Sequence, residues 1–354
     1  MDIFPLMDAA HQRGAADIHL SVGRRPVFRL SGGLVEIGDH VLTAADTEAM
    51  AKQLAPAKNW DELVRVGTTD FGLAHGTKCR FRVSLLTQKG FRGVVMRQIP
   101  QKLLSFEQLG LPETVLSLLT LHRGLILVTG PTGSGKTTTL ATLIDWINVH
   151  RDAHIITIED PVEYYHSHKK SQITQREVGN DVPTFAEAMR RALRQDPDVI
   201  LLGEMRDLET TSSAITAAET GHLVFGTLHT TGAARTVDRI IDQYPKEQQE
   251  QIRSQLAQSL VAVISQILLP AASGGRVAAF EIMLSNPAIE NHIRKCETFK
   301  IPSVIQTSRR QGMVLMDDCL LDLFRGGRIT KEVALERAFD RKALATRMGV
   351  PLEE

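Results

Sequence analysis

The sequence has few cysteines and no excess of charge of either sign. Its 354 residues include three cysteines, Cys79, Cys296 and Cys319, which are too few and too far apart for a disulfide framework or a cysteine-based zinc site. Lys and Arg together number 41, and so do Asp and Glu, so the formal net charge is zero. A neutral chain is not held to nucleic acid by bulk charge, although a local basic patch can still exist. A reducing cytosol is the natural expectation.

Signals for export, for membrane insertion and for repetition are also missing. The first twenty residues lack a basic region followed by an apolar core, so no signal peptide is expected. The longest apolar stretch, 259–272, is interrupted by Ser265 and Gln266 and is too short to span a bilayer. We expect it to form a buried helix. With no internal repeat or low-complexity tract, secreted, membrane-spanning and fibrous classes are all disfavoured.

What the sequence does contain is ordinary for a folded protein, with 43% hydrophobic and 23% charged residues. In the first hundred residues, apolar and polar side chains alternate as they do in half-buried strands. The expected elements are a hairpin at 26–37 turning at Ser31, Gly32 and Gly33, a helix at 44–56 after the cap residue Thr43, and strands at 78–88 and 91–99. These elements predict a small α+β domain over residues 1–98.

A segment with two prolines and a glycine, residues 99–113, is expected to be a linker, because the pattern changes beyond it. Short continuous apolar runs then alternate with helical stretches, as in a sheet that is buried on both faces. The runs expected to be strands are 125–129, 155–159, 199–203 and 223–229. We therefore predict an α/β domain at 114–278 and a C-terminal helical region at 279–354.

The most informative motif is GPTGSGKT, residues 130–137, which fits Gly-x-x-x-x-Gly-Lys-Thr in full. It lies between a predicted strand and a predicted helix, where glycines let backbone N–H groups surround phosphate oxygens. In such a loop Lys136 reaches the β- and γ-phosphates, and the Thr137 hydroxyl is a ligand for Mg²⁺. The motif predicts that a nucleoside triphosphate binds at Gly130, Pro131, Thr132, Gly133, Ser134, Gly135, Lys136, Thr137 and Thr138.

Enzymes with such a loop also need a carboxylate at the end of a nearby strand. One candidate is Glu204, which follows Gly203 at a position where these strands usually end in Asp. The other candidates follow the strand expected at 155–159 and are Glu159, Asp160 and Glu163. Pro161 ends that strand and leaves Glu163 on a loop. Each acid can instead cap a helix or pair with a cation such as Arg206, so a structural role stays open.

Two histidines, His222 and His229, lie at the two ends of an apolar run. A histidine at a strand terminus can donate a hydrogen bond to a γ-phosphate. A lone histidine is as often structural, so the residues alone leave both roles open. His166 and His168 suggest a metal pair, but their polar, lysine-flanked surroundings favour a solvated surface.

Four segments, in this order, resemble the motifs of the secretion ATPase superfamily. They are GPTGSGKTTTLATLID (Walker A), ITIEDPVEY (Asp box), QREVGNDVPTFAEAMRRALRQDPDVILLGEMRDLET (Walker B) and TAAETGHLVFGTLHTTGA (His box). The length and the segment RGAADIHLSVGRRPVFRLSGGLVEI are most similar to the pilus retraction ATPases of this superfamily. The resemblance covers nearly the whole chain. It implies a PAS-like N-terminal domain, a RecA-like P-loop ATPase domain, ATP and Mg²⁺ as cofactors, and a homohexamer that removes pilin subunits at the cytoplasmic face of the inner membrane.

The resemblance also implies a role for each matching residue. These are Lys136 and Thr137 in Walker A, Glu204 as the Walker B acid and metal ligand, Glu163 as the candidate base, His222 and His229 in the His box, and Arg82 and Arg97 as arginines directed at the γ-phosphate. The alternation pattern alone favours a solvated strand face for the two arginines. Whether they act on their own chain's nucleotide or on a neighbour's stays open.

Two features of the sequence indicate which branch of the superfamily the chain resembles. The assembly ATPases of pili and type II secretion are longer and usually carry zinc-binding Cys-x-x-Cys pairs, which this chain lacks, so the retraction branch is favoured. The segment AIENHIRK (288–295) resembles a family motif AIRNLIRE but has Glu290 and His292 in place of arginine and leucine, which leaves a PilU-like accessory role open. The implied partners are a PilC-like platform protein of the inner membrane and, indirectly, pilin.

Features of the sequence disfavour two other function classes. RecA-like hexamers also move nucleic acid, but the neutral charge and the lack of an aromatic and basic stripe disfavour a translocase, and no nucleic-acid partner is expected. A regulator that binds ATP without hydrolysing it is disfavoured by the intact acidic motifs.

Overall fold

The structure is a computed structural model that describes residues 2–30, 32–76, 78–99 and 103–351. The chain divides into two compact units, Met1–Lys102 with Pro161–Tyr165, and Leu103–Asp160 with His166–Glu354. The bounds of the expected linker stay predictions, and its residues 100–102 lie outside the described residues, as does Ser31 of the first hairpin turn.

The first unit contains an antiparallel sheet and helices, as the α+β pattern predicted. Its strands are β1 (Asp17–Leu20), β2 (Val27–Leu30), β3 (Gly33–Glu36), β4 (Thr68–His75), β5 (Cys79–Gln88) and β6 (Phe91–Ile99), and its helices are α1 (Phe4–Gln12), α2 (Ala44–Leu54) and α3 (Ala57–Val66). The spatial strand order is β3-β2-β1-β6-β5-β4. The Thr43 side chain accepts a hydrogen bond from the Asp46 N–H, which confirms the expected cap of α2.

The second unit contains a seven-stranded sheet. Its strands are β7 (Gly124–Thr129), β8 (His154–Glu159), β9 (Gln172–Glu177), β10 (Val199–Leu202), β11 (Leu223–Leu228), β12 (Leu260–Pro270) and β13 (Arg276–Leu284). The order is β13-β12-β7-β11-β10-β8-β9, with β13 antiparallel to β12 and the other neighbours parallel. The four strands expected from continuous apolar runs are therefore confirmed.

Helices of the second unit precede, connect and follow these strands. They are α4 (Phe106–Leu109), α5 (Thr114–Leu118), α6 (Lys136–His150), α7 (Phe185–Ala192), α8 (Leu208–Glu219), α9 (Ala233–Ile241), α10 (Gln249–Ser259), α11 (Pro287–Arg294), α12 (Ile301–Thr307), α13 (Met316–Arg325), α14 (Lys331–Arg337) and α15 (Arg341–Met348), with short 3₁₀ turns at Lys246–Gln248, Thr298–Lys300 and Arg309–Gln311. Successive residues of β7 enter different cores, since Leu125 and Leu127 pack in one cluster and Ile126 and Val128 in another. A sheet covered on both faces explains the uninterrupted apolar runs.

The expectation of a buried helix at 259–272 is wrong, because this run forms strand β12. It pairs in parallel with β7 on one side and antiparallel with β13 on the other, so its backbone groups are bonded within the sheet and its side chains are buried on both faces. Apolar periodicity alone does not separate such a strand from a buried helix. Strand β13 also crosses residue 279, so the expected helical region begins only after it, at α11.

Within the described residues, no helix combines the length and the apolar character needed to cross a bilayer.

Candidate active site

The phosphate-binding loop, residues 130–135, joins the carboxyl end of β7 to the first residue of α6, Lys136. The φ angles of its glycines are 142° at Gly130, 79° at Gly133 and 90° at Gly135. Side chains rarely adopt this left-handed region, so glycine is needed at each position. A Cβ atom on Gly130 would also lie 2.1 Å from the backbone oxygen of Gln266. The loop is therefore fixed both by its own backbone and by the neighbouring strand.

The loop and the start of α6 have the chemistry that phosphate requires. The Lys136 ammonium donates to the carbonyl oxygens of Gly130 at 2.7 Å and Pro131 at 3.2 Å, which places the cation beside the loop. Burial lowers the pKa of Lys136, and the charge of Glu204 opposes that shift. Within the described part of the chain, the buried Ser134 hydroxyl has no hydrogen-bond partner. A lysine, a buried hydroxyl and a helix N-terminus together fit the phosphates of a nucleotide.

Glu204 follows β10, and one of its carboxylate oxygens contacts both Arg206 and His229. The Glu204 side chain is 19% exposed, and its Oε1 accepts from the Arg206 Nε at 2.5 Å and lies 3.1 Å from the His229 Nε2. The other ring nitrogen of His229 lies 3.5 Å from the Thr132 hydroxyl of the loop. The hydrogen bond with Glu204 raises the pKa of Arg206. The structure thus brings together Glu204, His229 and the phosphate-binding loop, and it also shows the pairing with Arg206 that was left open.

Gly203 stands where related strands end in Asp, and close packing of two strands explains the glycine. A Cβ atom there would lie 3.2 Å from both the Ile158 backbone oxygen and the Glu159 Cα. The Gly203 N–H donates to the Ile158 carbonyl oxygen at 2.8 Å, and this hydrogen bond holds the end of β10 against β8. A larger residue would push apart the ends of these strands, and Glu204 is the next residue along.

The residues expected to hold Mg²⁺ fit its preference for oxygen ligands. Thr137 lies at the start of α6, and Glu204 lies at the same carboxyl edge of the sheet. No group of three or more His, Cys, Asp or Glu residues in the described ranges is suited to hold a metal. Mg²⁺ is usually bound by one or two protein oxygens together with water and substrate phosphates. A hydroxyl and one carboxylate are therefore a suitable protein contribution.

The acids that follow β8 differ in their surroundings. Glu159 is buried and accepts from the Thr157 hydroxyl at 2.6 Å and from the Gln175 side-chain amide at 3.4 Å, as a structural carboxylate does. Asp160 is exposed. Glu163 lies outside any helix or strand, as Pro161 predicted, and its segment Pro161–Tyr165 is part of the first unit. There the Arg80 guanidinium lies over the Tyr165 ring at 3.9 Å from its centre.

Arg82 and Arg97 are exposed and directly opposite each other on neighbouring strands β5 and β6. The Arg97 Nε donates to the Asp17 carboxylate at 2.8 Å, and Arg29 lies 3.2 Å from the other oxygen of the same carboxylate. The Asp17 side chain is 7% exposed and holds the Arg97 guanidinium at its Nε, while the Arg97 side chain as a whole stays 71% exposed. These arginines belong to the first unit, whereas the phosphate-binding loop belongs to the second.

His222 lies at the edge of the sheet opposite the phosphate-binding loop of its own chain. It directly precedes β11, which runs parallel to β7 with Leu223 beside Gly124 and Leu228 beside Thr129. Six strand residues separate it from the loop edge, a distance of about 20 Å. The His222 Nδ1 contacts the Ala217 carbonyl oxygen at 3.0 Å. The structure therefore does not bring His222 to the phosphate-binding loop of its own chain, because parallel strands place their two ends on opposite edges.

The expectation of a solvated surface is wrong for His166. Its side chain is 3% exposed and lies 3.7 Å from the Asp145 carboxylate, and burial lowers its pKa. The neighbouring segment is held against α6, where the Asn148 amide donates to the Ser167 carbonyl at 2.8 Å. His168 is exposed, as expected. The polar sequence around His166 did not reveal that α6 covers it.

Three polar residues of β12 and β13 support the site, although the sequence did not assign them to it. They are Ser265, Gln266 and Glu281. The buried Gln266 side chain contacts the phosphate-binding loop and α6. Ser265 accepts from the Gly232 N–H at 2.9 Å, and buried Glu281 accepts from the Ala233 N–H at 2.8 Å, so both hold the turn after His229. Burial raises the pKa of Glu281. The sequence did contain a signal for Ser265 and Gln266, because these two polar residues interrupt a long apolar run.

Comparison with known proteins places these features in a family. The family described as Type II/IV secretion system protein matches residues 2–298. The type IV pilus retractation ATPase PilT of Pseudomonas aeruginosa is 47% identical over 338 residues, which cover 96% of this chain and 98% of that protein. The type IV pilus ATPase PilU of the same organism is 35% identical over 339 residues, which cover 96% and 89%.

A crystal structure of the pilus retraction motor PilT with bound ADP has a TM-score of 0.91 and 46% identity, covering 98% of this chain and 99% of that chain. This agreement confirms the expected α/β fold class, with an ATPase domain, a preceding N-terminal domain and C-terminal helices. It also confirms the resemblance to secretion ATPases. The chain belongs to the Type II/IV secretion system protein family.

Proposed function

We propose that this chain is an ATP-hydrolysing motor that drives the retraction of type IV pili at the cytoplasmic face of the inner membrane. The observation that carries the proposal is similarity along almost the entire length of both chains to a PilT retraction ATPase. The phosphate-binding loop with Lys136, Glu204 and His229 supports it, because these residues lie together at one edge of the sheet.

The proposed chemistry assigns one task to each group of residues. When bound, ATP with Mg²⁺ supplies the phosphoryl group that water attacks and the charge that must be stabilised. Lys136 and the loop N–H groups bind phosphate oxygens, while Thr137 and Glu204 hold the metal. Glu204 also helps to orient water, Glu163 is the base that takes the proton of that water, and His229 donates a hydrogen bond toward the γ-phosphate. Arg82 and Arg97 neutralise charge that develops during transfer.

Assembly and partners are part of the same proposal. A homohexamer is proposed, with a PilC-like platform protein as its partner and pilin as the indirect target. Whether Arg82 and Arg97 serve their own chain's nucleotide or a neighbour's is left to experiment. No nucleic-acid partner is proposed, because positive and negative residues are equal in number.

An accessory role like that of PilU is the second candidate. The observation that favours it is the sequence of helix α11, which departs from the retraction motif at two positions. Glu290 forms an ion pair with Arg294 at 2.7 Å, and His292 lies 3.1 Å from Glu297, so both residues that depart from the retraction motif are engaged locally. The higher identity to PilT than to PilU favours the main proposal.

Deleting the gene and imaging labelled pili tests the proposal. Cells without the protein are expected to extend pili that do not retract, and the wild-type gene should restore retraction. Lys136→Ala should not restore it, because its turnover should fall on the order of a hundredfold when this cation is lost. Lys52→Ala, which removes an exposed lysine on α2 paired with Glu48, is the matched control and should restore it. Normal retraction in the deletion strain would refute the proposal, and a partial defect would favour the accessory role.

A further inference from the structure

We infer that Gln266 is a positioning residue for nucleotide binding, which holds the phosphate-binding loop in its phosphate-binding form from the neighbouring strand. Gln266 lies on β12, one residue beyond Ser265, which pairs with Thr129 at the end of β7. It therefore sits beside the first residue of the loop. Its action concerns nucleotide binding and does not depend on what the ATPase moves.

The Gln266 side chain connects the two segments that frame the loop. Its Nε2 donates to the Ser134 carbonyl oxygen at 2.7 Å, and its Oε1 accepts from the Thr139 hydroxyl at 2.7 Å. Residue Ser134 is in the loop, and Thr139 is in the first turn of α6. Gln266 is 2% exposed, so water does not substitute readily for either hydrogen bond. One amide thus fixes the loop relative to the helix whose N-terminus faces phosphate.

Two glycines of the loop, Gly130 and Gly135, pack against the same residue, Gln266. A Cβ on Gly130 would lie 2.1 Å from the Gln266 backbone oxygen, and a Cβ on Gly135 would lie 2.8 Å from its Nε2. The first and the last glycine of the loop therefore pack directly against Gln266, through its backbone and its side chain respectively. These close contacts are independent of the two hydrogen bonds. Both indicate that Gln266 and the loop form one packed unit.

A loop held in this way binds nucleotide without first ordering itself. If the binding-competent form is populated for only a fraction of the time, the apparent affinity falls by that fraction. Removing the Gln266 amide leaves the Ser134 carbonyl and the Thr139 hydroxyl without these partners, so other loop conformations gain population. Once nucleotide occupies the site, its own contacts restore the loop. Affinity should therefore suffer more than turnover at saturation.

The test compares Gln266→Met, Thr139→Val and a control in the purified full-length protein. Gln266→Met keeps the length of the side chain and removes both hydrogen bonds, and it should raise the Kd for ADP about tenfold, as two lost hydrogen bonds permit. Its kcat at saturating ATP should fall less than about threefold, since bound nucleotide restores the loop. Thr139→Val removes one of the two bonds and should raise the Kd by a smaller factor. The double variant should bind about as weakly as Gln266→Met alone.

Asn148→Leu is the matched control for the loss of a buried amide. Asn148 is 0% exposed, donates to the Ser167 carbonyl at 2.8 Å and accepts from the Lys169 N–H at 3.1 Å, so it also makes two hydrogen bonds. It lies on α6, twelve residues or about 18 Å beyond Lys136. This variant should lower Tm without changing the Kd for ADP.

Two results would overturn the inference. One is a Gln266→Met protein whose Tm falls while its Kd for ADP stays at the wild-type value, since that is the pattern of a purely structural amide. The other is a Kd that rises equally in Asn148→Leu. If Gln266→Met does not fold, the Thr139→Val protein decides, and an unchanged Kd there would also refute the positioning role.

Discussion

One carboxylate oxygen of Glu204 contacts two side chains of the second unit, Arg206 and His229. It accepts from Arg206 at 2.5 Å and lies 3.1 Å from the His229 ring nitrogen, and its charge opposes the burial that lowers the pKa of Lys136. Glu163 has a different setting, because its segment is part of the first unit. Both carboxylates are proposed to act on water or metal rather than to bind phosphate directly.

Glu204→Ala and Glu163→Ala should each lower ATP turnover more than nucleotide affinity. The reason is that both carboxylates are proposed to act on water or metal during transfer, whereas the phosphate-binding loop holds the nucleotide before it. Steady-state kinetics together with ADP binding measure the two effects. Glu209→Ala removes an exposed glutamate that pairs with Arg190, and it should keep normal turnover. Normal turnover in both active-site variants would show that the acids are structural.

Residue-scale prediction succeeded where the chemistry is local in sequence. The loop 130–137 was predicted in full, because its glycines, its lysine and the flanking strand and helix are consecutive in the chain. Gln266 was not, since its partners Ser134 and Thr139 lie more than 120 residues away. The distance of His222 from the loop was not predicted for a related reason, because only the strand topology shows which edge of the sheet a residue occupies.

Among the elements, the ends of β8 and β10 approach so closely that a Cβ on Gly203 would lie 3.2 Å from backbone atoms of β8, which is tighter than ordinary van der Waals contact. Gly203→Ala should therefore destabilise the protein by about 1–3 kcal/mol, the range for adding a methyl group to a packed site. Denaturant unfolding measures this free energy. Gly33→Ala is the control, because its Cβ would lie at an ordinary 3.6 Å from the Leu30 oxygen. A Gly203→Ala protein as stable as the wild type would contradict the packing explanation.

Strand β12 shows why some elements are not predictable from their own residues. Its apolar run also fits a buried helix, and strand geometry is decided by the partners β7 and β13 on either side. In contrast, the strands expected at 78–88 and 91–99 were predicted correctly as β5 and β6, because the alternation of apolar and polar residues is a local signal, and Lys89 and Gly90 form the turn between them. Both turn residues have positive φ, at 52° and 82°, as a two-residue hairpin turn of type I′ requires.

At the scale of the whole molecule, the residues proposed for hydrolysis are divided between the two units. Arg82, Arg97 and Glu163 belong to the first, and the phosphate-binding loop, Glu204 and His229 belong to the second. The sequence did not predict that the segment with Glu163 belongs to the first unit, because it follows β8 of the second unit directly. The proposed function therefore assigns tasks in hydrolysis to residues of both units.

Replacing both Arg82 and Arg97 with alanine should reduce hydrolysis while the hexamer and ATP binding are largely retained. Both arginines are exposed, so their loss leaves the core intact, and their proposed task is to neutralise charge during phosphoryl transfer. Mass measurement and ATP turnover test the two statements. The double change Arg24→Ala with Arg25→Ala removes two other arginines of the same unit and should leave turnover unchanged. A fully active Arg82 and Arg97 double variant, or a fully active monomer, would refute the proposal.

ATP hydrolysis by this chain is proposed to power pilus retraction, and the speed of retraction at reduced turnover tests this coupling. Glu204→Asp keeps the carboxylate but shortens it, so the purified protein should hydrolyse ATP more slowly. Labelled pili in cells carrying this allele should then retract more slowly, in proportion to the measured turnover. Glu209→Asp, a control five residues away, should change neither quantity. Pili that retract at the wild-type speed although turnover has fallen would contradict the account.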